Sequence, residues 1–336
     1  DDGDLDSATP IGWSHALRID ATVTLAKHGA LPVPHDTPTG PNEAPHWTTG
    51  RKFGVGTPAD HATDDPVPVW FTLSEGAFTE ARFPRIDVMN IRTFDFLVAD
   101  PETGYTVRTF DETSHVTTTE TVERRTEPTV DDALAYTQTI RETGDSHGHE
   151  WTLTVEYAVD TDGDAVLADV DFEGGREYDV YALVDTTITN VGTNDRGDRV
   201  SGEDGYHLIA RNDDAAERST GKLVDDDGDS FEVALALASA DPFEWASVLD
   251  AGGEESTALF GDGERDEGSA EATGNVVLAG LVGSGTSVSD TVAIGFAEAA
   301  DTAAALGEAR GAISRGFADV ADAYVETWRE WLADRE

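Results

Sequence analysis

The strongest constraint on the fold is a stretch in which apolar and polar residues alternate between turn-forming residues. Residues 69–100 read VWFTLSEGAFTEARFPRIDVMNIRTFDFLVAD. Alternation with a period of two, in segments rich in β-branched and aromatic residues, is typical of strands. Ser74-Glu75-Gly76 is a turn signal, and Pro84 ends one strand at a polar corner before the next strand begins at Ile91. The stretch therefore predicts the inner hairpin of an antiparallel β-sandwich.

The same kind of segment recurs along most of the chain. Further strands are predicted at residues 105–110, 114–122, 134–140, 151–159, 165–172, 178–184, 206–211, 231–238, 275–282 and 288–296. The segments at residues 161–164 and 283–285 have the composition of hairpin turns. So many short strands, with no helix predicted between them, indicate an all-β antiparallel fold made of two large packed sheets.

The last forty residues change to a helical period. Residues 297–312 are alanine-rich, and the apolar residues that follow step by three or four positions, which places them on one face of an α-helix. These residues are Ile313, Phe317, Val320, Tyr324, Trp328 and Trp331. Burying each large side chain contributes about 1.5–3 kcal/mol, so this amphipathic helix is expected to pack on the sandwich, on a following domain or on a partner.

These patterns divide the chain into three predicted parts. Residues 1–45 form an N-terminal extension, with one alternating segment at residues 16–26 and a proline-rich strap after it. Residues 46–297 form the sandwich, and residues 298–336 form a helical linker. The helical pattern is still running at Glu336, without a C-cap signal, which is interpreted as the start of a connection to another domain.

The charge of the chain indicates the setting in which it folds. The sequence has 22 basic and 68 acidic residues, a formal net charge of −46, and lysine only at Lys27, Lys52 and Lys222. Disorder is not the favoured reading, because 38% of the residues are apolar and lie in strand-like runs. Molar salt shortens the Debye length to about 3 Å and screens repulsion between carboxylates. The composition therefore favours a hypersaline environment and a halophilic archaeal source.

The composition also excludes several partners and chemistries. An acidic surface repels phosphate backbones and anionic lipids, so neither nucleic acid nor a membrane is an expected partner. The chain has no cysteine, which excludes disulfides, thiol catalysis and cysteine-ligated metals. The sequence does not decide the location of the protein, although an extracellular one is favoured over the cytoplasm.

Two weak candidates for binding sites stand out. Asp160, Asp162 and Asp164 resemble the opening of a calcium loop, but no acid occupies the twelfth position in a helix–loop–helix setting. An acidic hairpin turn is the favoured reading there, a structural cation site is the alternative, and no other cofactor is expected. Trp245 follows a predicted strand in the segment DPFEWASV and is the tryptophan most expected to be exposed, which makes it a candidate for stacking on a sugar.

Four segments together resemble a known family. They are WTTGRKFGVGT from Trp47, the stretch at residues 69–100, TVAIGF from Thr291, and AYVETWREWL ending at Leu332. In combination they resemble the N-terminal domain of prokaryotic glucoamylases and glucodextranases, in glycoside hydrolase family fifteen. The resemblance implies a β-supersandwich similar to galactose mutarotase, joined by a helical linker to an (α/α)₆ barrel. That barrel hydrolyses α-glucosidic bonds of starch and malto-oligosaccharides with inversion.

The resemblance also indicates what this chain contributes. The two catalytic carboxylates of an inverting hydrolase lie in the barrel of such enzymes, so no catalytic residue is expected in this chain. The corner after Phe83 and the residues around it match the family motif and are expected to form or brace the face toward the barrel. With two tryptophans of the terminal helix, the interface candidates are Arg82, Pro84, Arg85, Asp87, Asn90, Arg92, Trp328 and Trp331.

Three functions remain open from the sequence. The favoured one is a non-catalytic scaffold for the catalytic barrel, either in the same chain or as a separate chain. The second is an independent carbohydrate-binding module, which predicts that the chain alone binds α-glucan and loses binding on Trp245→Ala. The third is a self-standing enzyme of the mutarotase-like fold, which predicts turnover of a sugar without a partner, although fold alone is poor evidence for that.

Overall fold

The computed structural model describes residues 52–56, 68–74, 76–110, 122–144, 148–190, 192, 195–202, 204–212, 231–263 and 265–333, which belong to one compact unit, Thr49–Glu336. These residues form fifteen strands. They are β1 Lys52–Gly56, β2 Trp70–Ser74, β3 Ala77–Arg82, β4 Met89–Asp100, β5 Tyr105–Arg108, β6 Val122–Pro128, β7 Tyr136–Thr143, β8 Glu150–Val159, β9 Ala165–Thr186, β10 Asp195–Ser201, β11 Tyr206–Arg211, β12 Val233–Ser239, β13 Ala246–Asp250, β14 Glu271–Gly274 and β15 Val276–Glu298. The helices are α1 Glu254–Asp262, α2 Thr302–Arg315 and α3 Phe317–Ala333.

Two long strands, β9 and β15, connect the two layers of the fold. They pair antiparallel along most of their length, with bulges between Leu281 and Gly283 and between Gly285 and Ser287. The first half of β9 also pairs with β8, and its second half pairs with β4. The second half of β15 pairs with β12, and its first half pairs with β13. Each long strand therefore runs from one layer into the other, and the bulges bend the pair between them.

The first layer contains β6, β7, β8, the first half of β9, the second half of β15, β12 and β11. The second layer contains β1, β2, β3, β4, the second half of β9, the first half of β15 and β13, and β5 pairs with β4 in this layer. Every strand pair recorded among the described residues is antiparallel. The predicted antiparallel β-sandwich is therefore confirmed.

Aromatic rings fill the space between the layers. Phe78 of β3 and Phe94 of β4 lie 5.6 and 6.3 Å from the ring of Tyr157 of β8. Phe83, just after β3, stacks on Phe296 of β15 at 5.5 Å. All five side chains are buried. Ring pairs at such distances contribute about 0.5–1.5 kcal/mol beyond their buried area, and here they hold the two layers in register.

Helices cover parts of both layers. Helix α1 places Leu259 on the second layer in a buried cluster with Leu97, Tyr181 and Leu183. Helix α2 is capped by Asp301, whose side chain accepts hydrogen bonds from the amides of Ala303 and Ala304, and the helix packs on β15 and β12. Helix α3 packs on β8 and β9. None of the helices in the described part of the chain is long and apolar enough to cross a membrane.

The structure corrects several sequence-based expectations. Residues 165–172 and 178–184 belong to the single strand β9. The predicted hairpin turn at residues 283–285 is wrong, because β15 continues through it with two bulges. The prediction that no helix lies between the strands is also wrong, since α1 lies between β13 and β14. The C-terminal helical segment is divided at Gly316, whose φ of 86° ends α2.

Other expectations agree with the structure or lie beyond what it describes. The turn at residues 161–164 joins the antiparallel pair β8 and β9, as predicted. The segment at residues 16–26, the proline-rich strap and residues 114–121 lie outside the described residues.

The close approach of α2 to β15 predicts a strong effect of adding one methyl group. A Cβ at Gly295 would lie 2.2 Å from the carbonyl oxygen of Ala305 and 2.5 Å from the amide nitrogen of Ala309. These are backbone atoms, so Gly295→Ala must push the helix away from the sheet. We expect a loss of about 3 kcal/mol or more in the free energy of unfolding, measured by urea denaturation.

The matched control is Gly307→Ala, on helix α2 itself, where no atom lies within 4 Å of the added Cβ. This change should leave the protein as stable or stabilise it by about 0.5–1 kcal/mol, because alanine is the better helix former. A wild-type urea midpoint for Gly295→Ala would contradict the packing of α2 on β15.

Candidate functional site

The corner between β3 and β4 is built by a network of short hydrogen bonds. The amide of Phe83 donates to the carbonyl of Val88 at 3.0 Å, and the amide of Val88 donates to the carbonyl of Arg85 at 2.9 Å. Phe83 and Pro84 are joined by a cis peptide bond, and Pro84 is half-buried. The chain thus reverses direction in a closed turn, which fixes the positions of the side chains around it.

Asn90 braces this corner from inside. It is fully buried, its Nδ2 donates to the carbonyl of Phe83 at 2.7 Å, and its Oδ1 accepts from the amide of Thr189 at 3.0 Å. Arg82 is also buried, and its guanidinium donates to the carbonyl of Ile86 at 3.1 Å. Both predicted interface residues therefore support the corner and do not face outward.

Arg85 and Asp87 are the corner residues that reach the surface. The Arg85 guanidinium donates to both Asp87 oxygens, from Nε at 2.9 Å and from the terminal nitrogen at 2.8 Å. This hydrogen-bonded pair lowers the pKa of Asp87, mainly through the hydrogen bonds from Arg85. The Arg85 guanidinium also lies 4.8 Å from the centre of the Phe231 ring. Arg85 is thus held in one orientation by two contacts.

Arg92 pairs with an acid that sequence analysis did not identify. The register of β4 and β9 places Thr93 opposite Asp185, and the Arg92 guanidinium donates to Asp185 Oδ2. Burial raises the pKa of Asp185 to about 6, although the charge of Arg92 opposes the shift. Within the described residues, Asp185 Oδ1 and Arg92 Nε have no hydrogen-bond partner. A buried carboxylate thus lies beneath a guanidinium that is partly exposed.

Arg108 and Asp95 form a second pair of this kind on the same layer. Nε and a terminal nitrogen of Arg108 donate to the two Asp95 oxygens at 2.9 and 2.6 Å, and Asp95 is fully buried. No sequence signal marked either acid, because both occupy ordinary alternating positions in strands. The partner of Asp185 lies 93 residues away in the chain, so only the sheet register shows the pair.

The two candidate tryptophans of α3 differ in exposure. Trp328 is 6% exposed and belongs to the main hydrophobic core, next to Tyr324. Trp331 is half-buried and packs edge-on against Trp328, with ring centres 5.6 Å apart. The sandwich itself therefore covers Trp328, and the interface role of both residues stays a prediction.

The acidic turn between β8 and β9 interacts with helix α2. Asp160 is buried and forms an ion pair with Arg315 of α2. The amide of Asp162 donates to Asp160 Oδ1 at 3.1 Å, and the amide of Asp164 donates to Glu308 Oε2 at 3.2 Å. In the part of the chain that the structure describes, no three His, Cys, Asp or Glu side chains are grouped so that they could hold a metal ion. The cation site stays a prediction.

Trp245 lies at the edge of the second layer, just before β13. It is half-buried, its ring packs edge-to-face on Tyr181 at 5.5 Å, and its Nε1 donates to the carbonyl of Asp266 at 2.9 Å. The Tyr181 hydroxyl donates to Asp179 at 3.1 Å, and Arg265 lies 3.5 Å from both of these residues. Sequence analysis identified Trp245 but none of its polar neighbours, which come from distant parts of the chain.

Comparison with known proteins adds to this description. The family model described as "Glucodextranase, domain N" matches residues 37–333. A protein named "Glucoamylase" from Clostridium sp. (strain G0005) is 27% identical over 178 residues, which are 52% of this chain and 23% of that protein.

A solved structure described as a bacterial glucoamylase complexed with acarbose superposes with a TM-score of 0.65 and 19% identity. The match covers 87% of this chain and 39% of that one, and it shows a shared fold. The chain therefore spans well under half of the length of either relative.

The acidic turn predicts a pH-dependent stability. Burial, together with the charges of Glu308 and Glu298, raises the pKa of Asp164 from 3.8 to about 6. Below pH 3.8, the pKa of Asp164 in the unfolded chain, this carboxyl is protonated in both the folded and the unfolded state. As pH rises from there through the folded-state pKa of about 6, stability is lost, because ionising the half-buried acid is less favourable in the native protein. We therefore expect Asp164→Asn to be more stable than wild type at pH 7, with the difference disappearing at about pH 4.

The measurement is urea unfolding of wild type and Asp164→Asn across this pH range at one fixed salt concentration. The other carboxylates titrate alike in the two proteins, so the difference in stability between them reports on Asp164. As a control, Glu308→Gln keeps an oxygen for the Asp164 amide but removes one of the repelling charges, so it should change stability in the same direction. A difference between Asp164→Asn and wild type that stays constant from pH 7 to about pH 4 would contradict the raised pKa.

Proposed function

Because the chain belongs to the glucodextranase domain N family, we propose that it is the non-catalytic N-terminal domain of a glucoamylase-type hydrolase of α-glucans. The single observation that carries the proposal is the family match across residues 37–333. In the proposed parent enzyme, an (α/α)₆ catalytic domain hydrolyses α-glucosidic bonds of starch and malto-oligosaccharides with inversion. The sandwich positions and stabilises that domain, as part of the same chain or as a separate one.

The chemistry of the buried acids supports a structural role. An inverting hydrolase needs one protonated carboxyl and one carboxylate about 6.5–9.5 Å apart, with space for water and sugar between them. Asp95 and Asp185 are buried, but each is paired with an arginine of the same layer. Their charges are therefore used to hold Arg108 and Arg92 and not to activate water.

The placement of charge on the second layer supports docking of an acidic domain. The arginine side chains of three pairs, Arg85, Arg92 and Arg108, are 41%, 29% and 31% exposed, whereas their carboxylate partners are 35%, 5% and 0% exposed. On a chain with a net charge of −46, Arg92 and Arg108 present cations above buried anions, whereas Arg85 and Asp87 are both partly exposed. Such a surface attracts an acidic partner where the rest of the protein would repel it. We therefore place the contact with the catalytic domain at the corner and at Arg92.

The test uses the full-length protein that carries this chain, assayed on maltose and starch in molar salt. We expect hydrolysis with inversion by the full-length protein and none by the 336-residue chain alone. Arg85→Ala and Arg92→Ala in the full-length protein should lower the unfolding temperature of the catalytic domain. In a domain of about 150–250 residues, a loss of about 1 kcal/mol in the free energy of unfolding lowers the unfolding temperature by about 2–4 °C, which scanning calorimetry resolves.

The control for these variants is Arg125→Ala, because Arg125 is 71% exposed on β6 and pairs with the exposed Glu127. It should change neither activity nor unfolding. Hydrolysis of maltose by the 336-residue chain alone would refute the non-catalytic role. Unchanged catalytic-domain unfolding in both Arg85→Ala and Arg92→Ala would refute this docking surface and leave the domain assignment intact.

We also propose that the protein works in a hypersaline, extracellular setting and comes from a halophilic archaeon. The support is the net charge of −46, with 68 acids and only three lysines. We expect the unfolding temperature to rise steadily as KCl increases from about 0.1 to about 2 M, because the Debye length falls from about 10 Å to about 3 Å or less. An unfolding temperature that stays constant or falls with KCl would contradict adaptation to salt.

A further inference from the structure

Trp245 is held rigidly although it is only half-buried. Its Nε1 donates to the carbonyl of Asp266 at 2.9 Å, and its own carbonyl accepts from the amide of Leu281 at 2.9 Å. The ring packs edge-to-face on the buried Tyr181 at an angle of 81°. Trp245 is therefore fixed both at its indole N–H and at its backbone carbonyl, and its side chain loses little conformational freedom when a ligand contacts it.

Residues 265–270, beside Trp245, are also held by hydrogen bonds, although they form no helix or strand. The amide of Gly268 donates to Asp266 Oδ1 at 2.7 Å, and the amide of Ser269 donates to the hydroxyl of Ser247 at 2.8 Å. Arg199 donates to the carbonyl of Glu267 at 3.0 Å. Gly268 has a φ of 72°, and a Cβ there would lie 2.7 Å from the carbonyl oxygen of Ala246. The loop is thus fixed against β13.

Residues 265–267, which include the carbonyl that accepts from the Trp245 indole, carry further hydrogen-bonding groups. The side chain of Arg265 is 37% exposed, and among the described residues its contacts are with Asp179 and Tyr181, both at 3.5 Å. Most of its donors are therefore available to a ligand. Asp266 and Glu267 are exposed and provide acceptors on the same loop. We call Trp245, Arg265, Asp266 and Glu267 the indole platform.

The composition of the indole platform indicates a neutral, polyhydroxylated ligand. A partly exposed indole offers an apolar face to the C–H groups of a pyranose ring, as it does to other flat apolar surfaces. A guanidinium and two carboxylates match hydroxyl groups, which both donate and accept hydrogen bonds. An anionic ligand is disfavoured, since the chain carries a net charge of −46. An apolar ligand would leave the guanidinium and the carboxylates without a partner.

We propose that the indole platform is an accessory binding site for α-linked gluco-oligosaccharides, on the non-catalytic sandwich itself. The pyranose class follows from the chemistry of the platform, and the α-linked glucose rests on the proposed function of the parent enzyme. Binding here tethers the polymer to the protein while the catalytic domain acts on a chain end. The effective concentration of substrate at the catalytic domain rises as a result.

The test is isothermal titration of the 336-residue chain with maltoheptaose and, separately, with cellohexaose in about 2 M KCl. We expect saturable binding of maltoheptaose that weakens about tenfold or more in Trp245→Ala and about threefold or more in Arg265→Gln. Arg265 is exposed but lies 3.5 Å from the buried Asp179 carboxylate, so urea denaturation first checks that Arg265→Gln is folded, and this variant then keeps the test valid if Trp245→Ala unfolds. Trp70→Ala, at another half-buried tryptophan, and Arg125→Gln are the matched controls and should bind as wild type.

Three results would overturn the inference. They are the absence of saturable maltoheptaose binding, wild-type affinity in Arg265→Gln, and equal binding of cellohexaose, which would remove the assignment to α-linked glucose. The proposed function is tested separately by product formation. Maltose hydrolysis by the chain alone would refute the non-catalytic role, whereas loss of binding in Trp245→Ala without any hydrolysis supports both.

Discussion

The pairing of β9 with β15 is the interaction on which the other elements depend. These two strands belong to both layers, so each layer is extended from the same pair of strands. A sandwich built from separate sheets relies on side-chain packing alone to fix the angle and distance between them. Here continuous backbone hydrogen bonds make the connection, and bulges in β15 provide the bend. The aromatic core then fills a space whose shape is already determined.

The same pair of strands positions the charged surface of the second layer. Asp185 is part of β9, so the register of β9 with β4 decides that this acid lies near Arg92. Removing one partner of a buried ion pair costs about 3–5 kcal/mol, because the other charge is left without compensation. The exposed guanidinium groups are therefore anchored by acids in the sheet. This anchoring fixes the orientation of Arg92 and Arg108 on the proposed docking surface.

The two proposed contacts of the sandwich use different physical effects. Docking at the corner depends on opposite charges, and molar salt weakens such attraction between exposed groups. The pairs at Arg92 and Arg108 keep their carboxylates buried, where salt screens them less. The indole platform instead depends on stacking and on hydrogen bonds to a neutral ligand. Of the two contacts, the one made by the indole platform is therefore the less sensitive to high ionic strength.

Much of the fold followed from the sequence, because alternation, turn residues and helical period are local properties. They determined the antiparallel strands, the turn at residues 161–164 and the amphipathic C-terminal segment. The tertiary structure decided that 283–285 is a bend within one strand, since a bulge and a hairpin turn share the same small residues. It also decided that Trp328 faces the core of its own sandwich.

The candidate sites followed less closely from the sequence. Arg92 and Trp245 were identified from motif and residue type, but their partners Asp185 and Tyr181 were not. Asp185 lies 93 residues from Arg92 in the chain, and Tyr181 lies 64 residues from Trp245. The sequence by itself determined which residues lie in strands and that the surface is acidic. Only the tertiary structure decided which charges meet, because strand register over long separations depends on the packing of the whole sandwich.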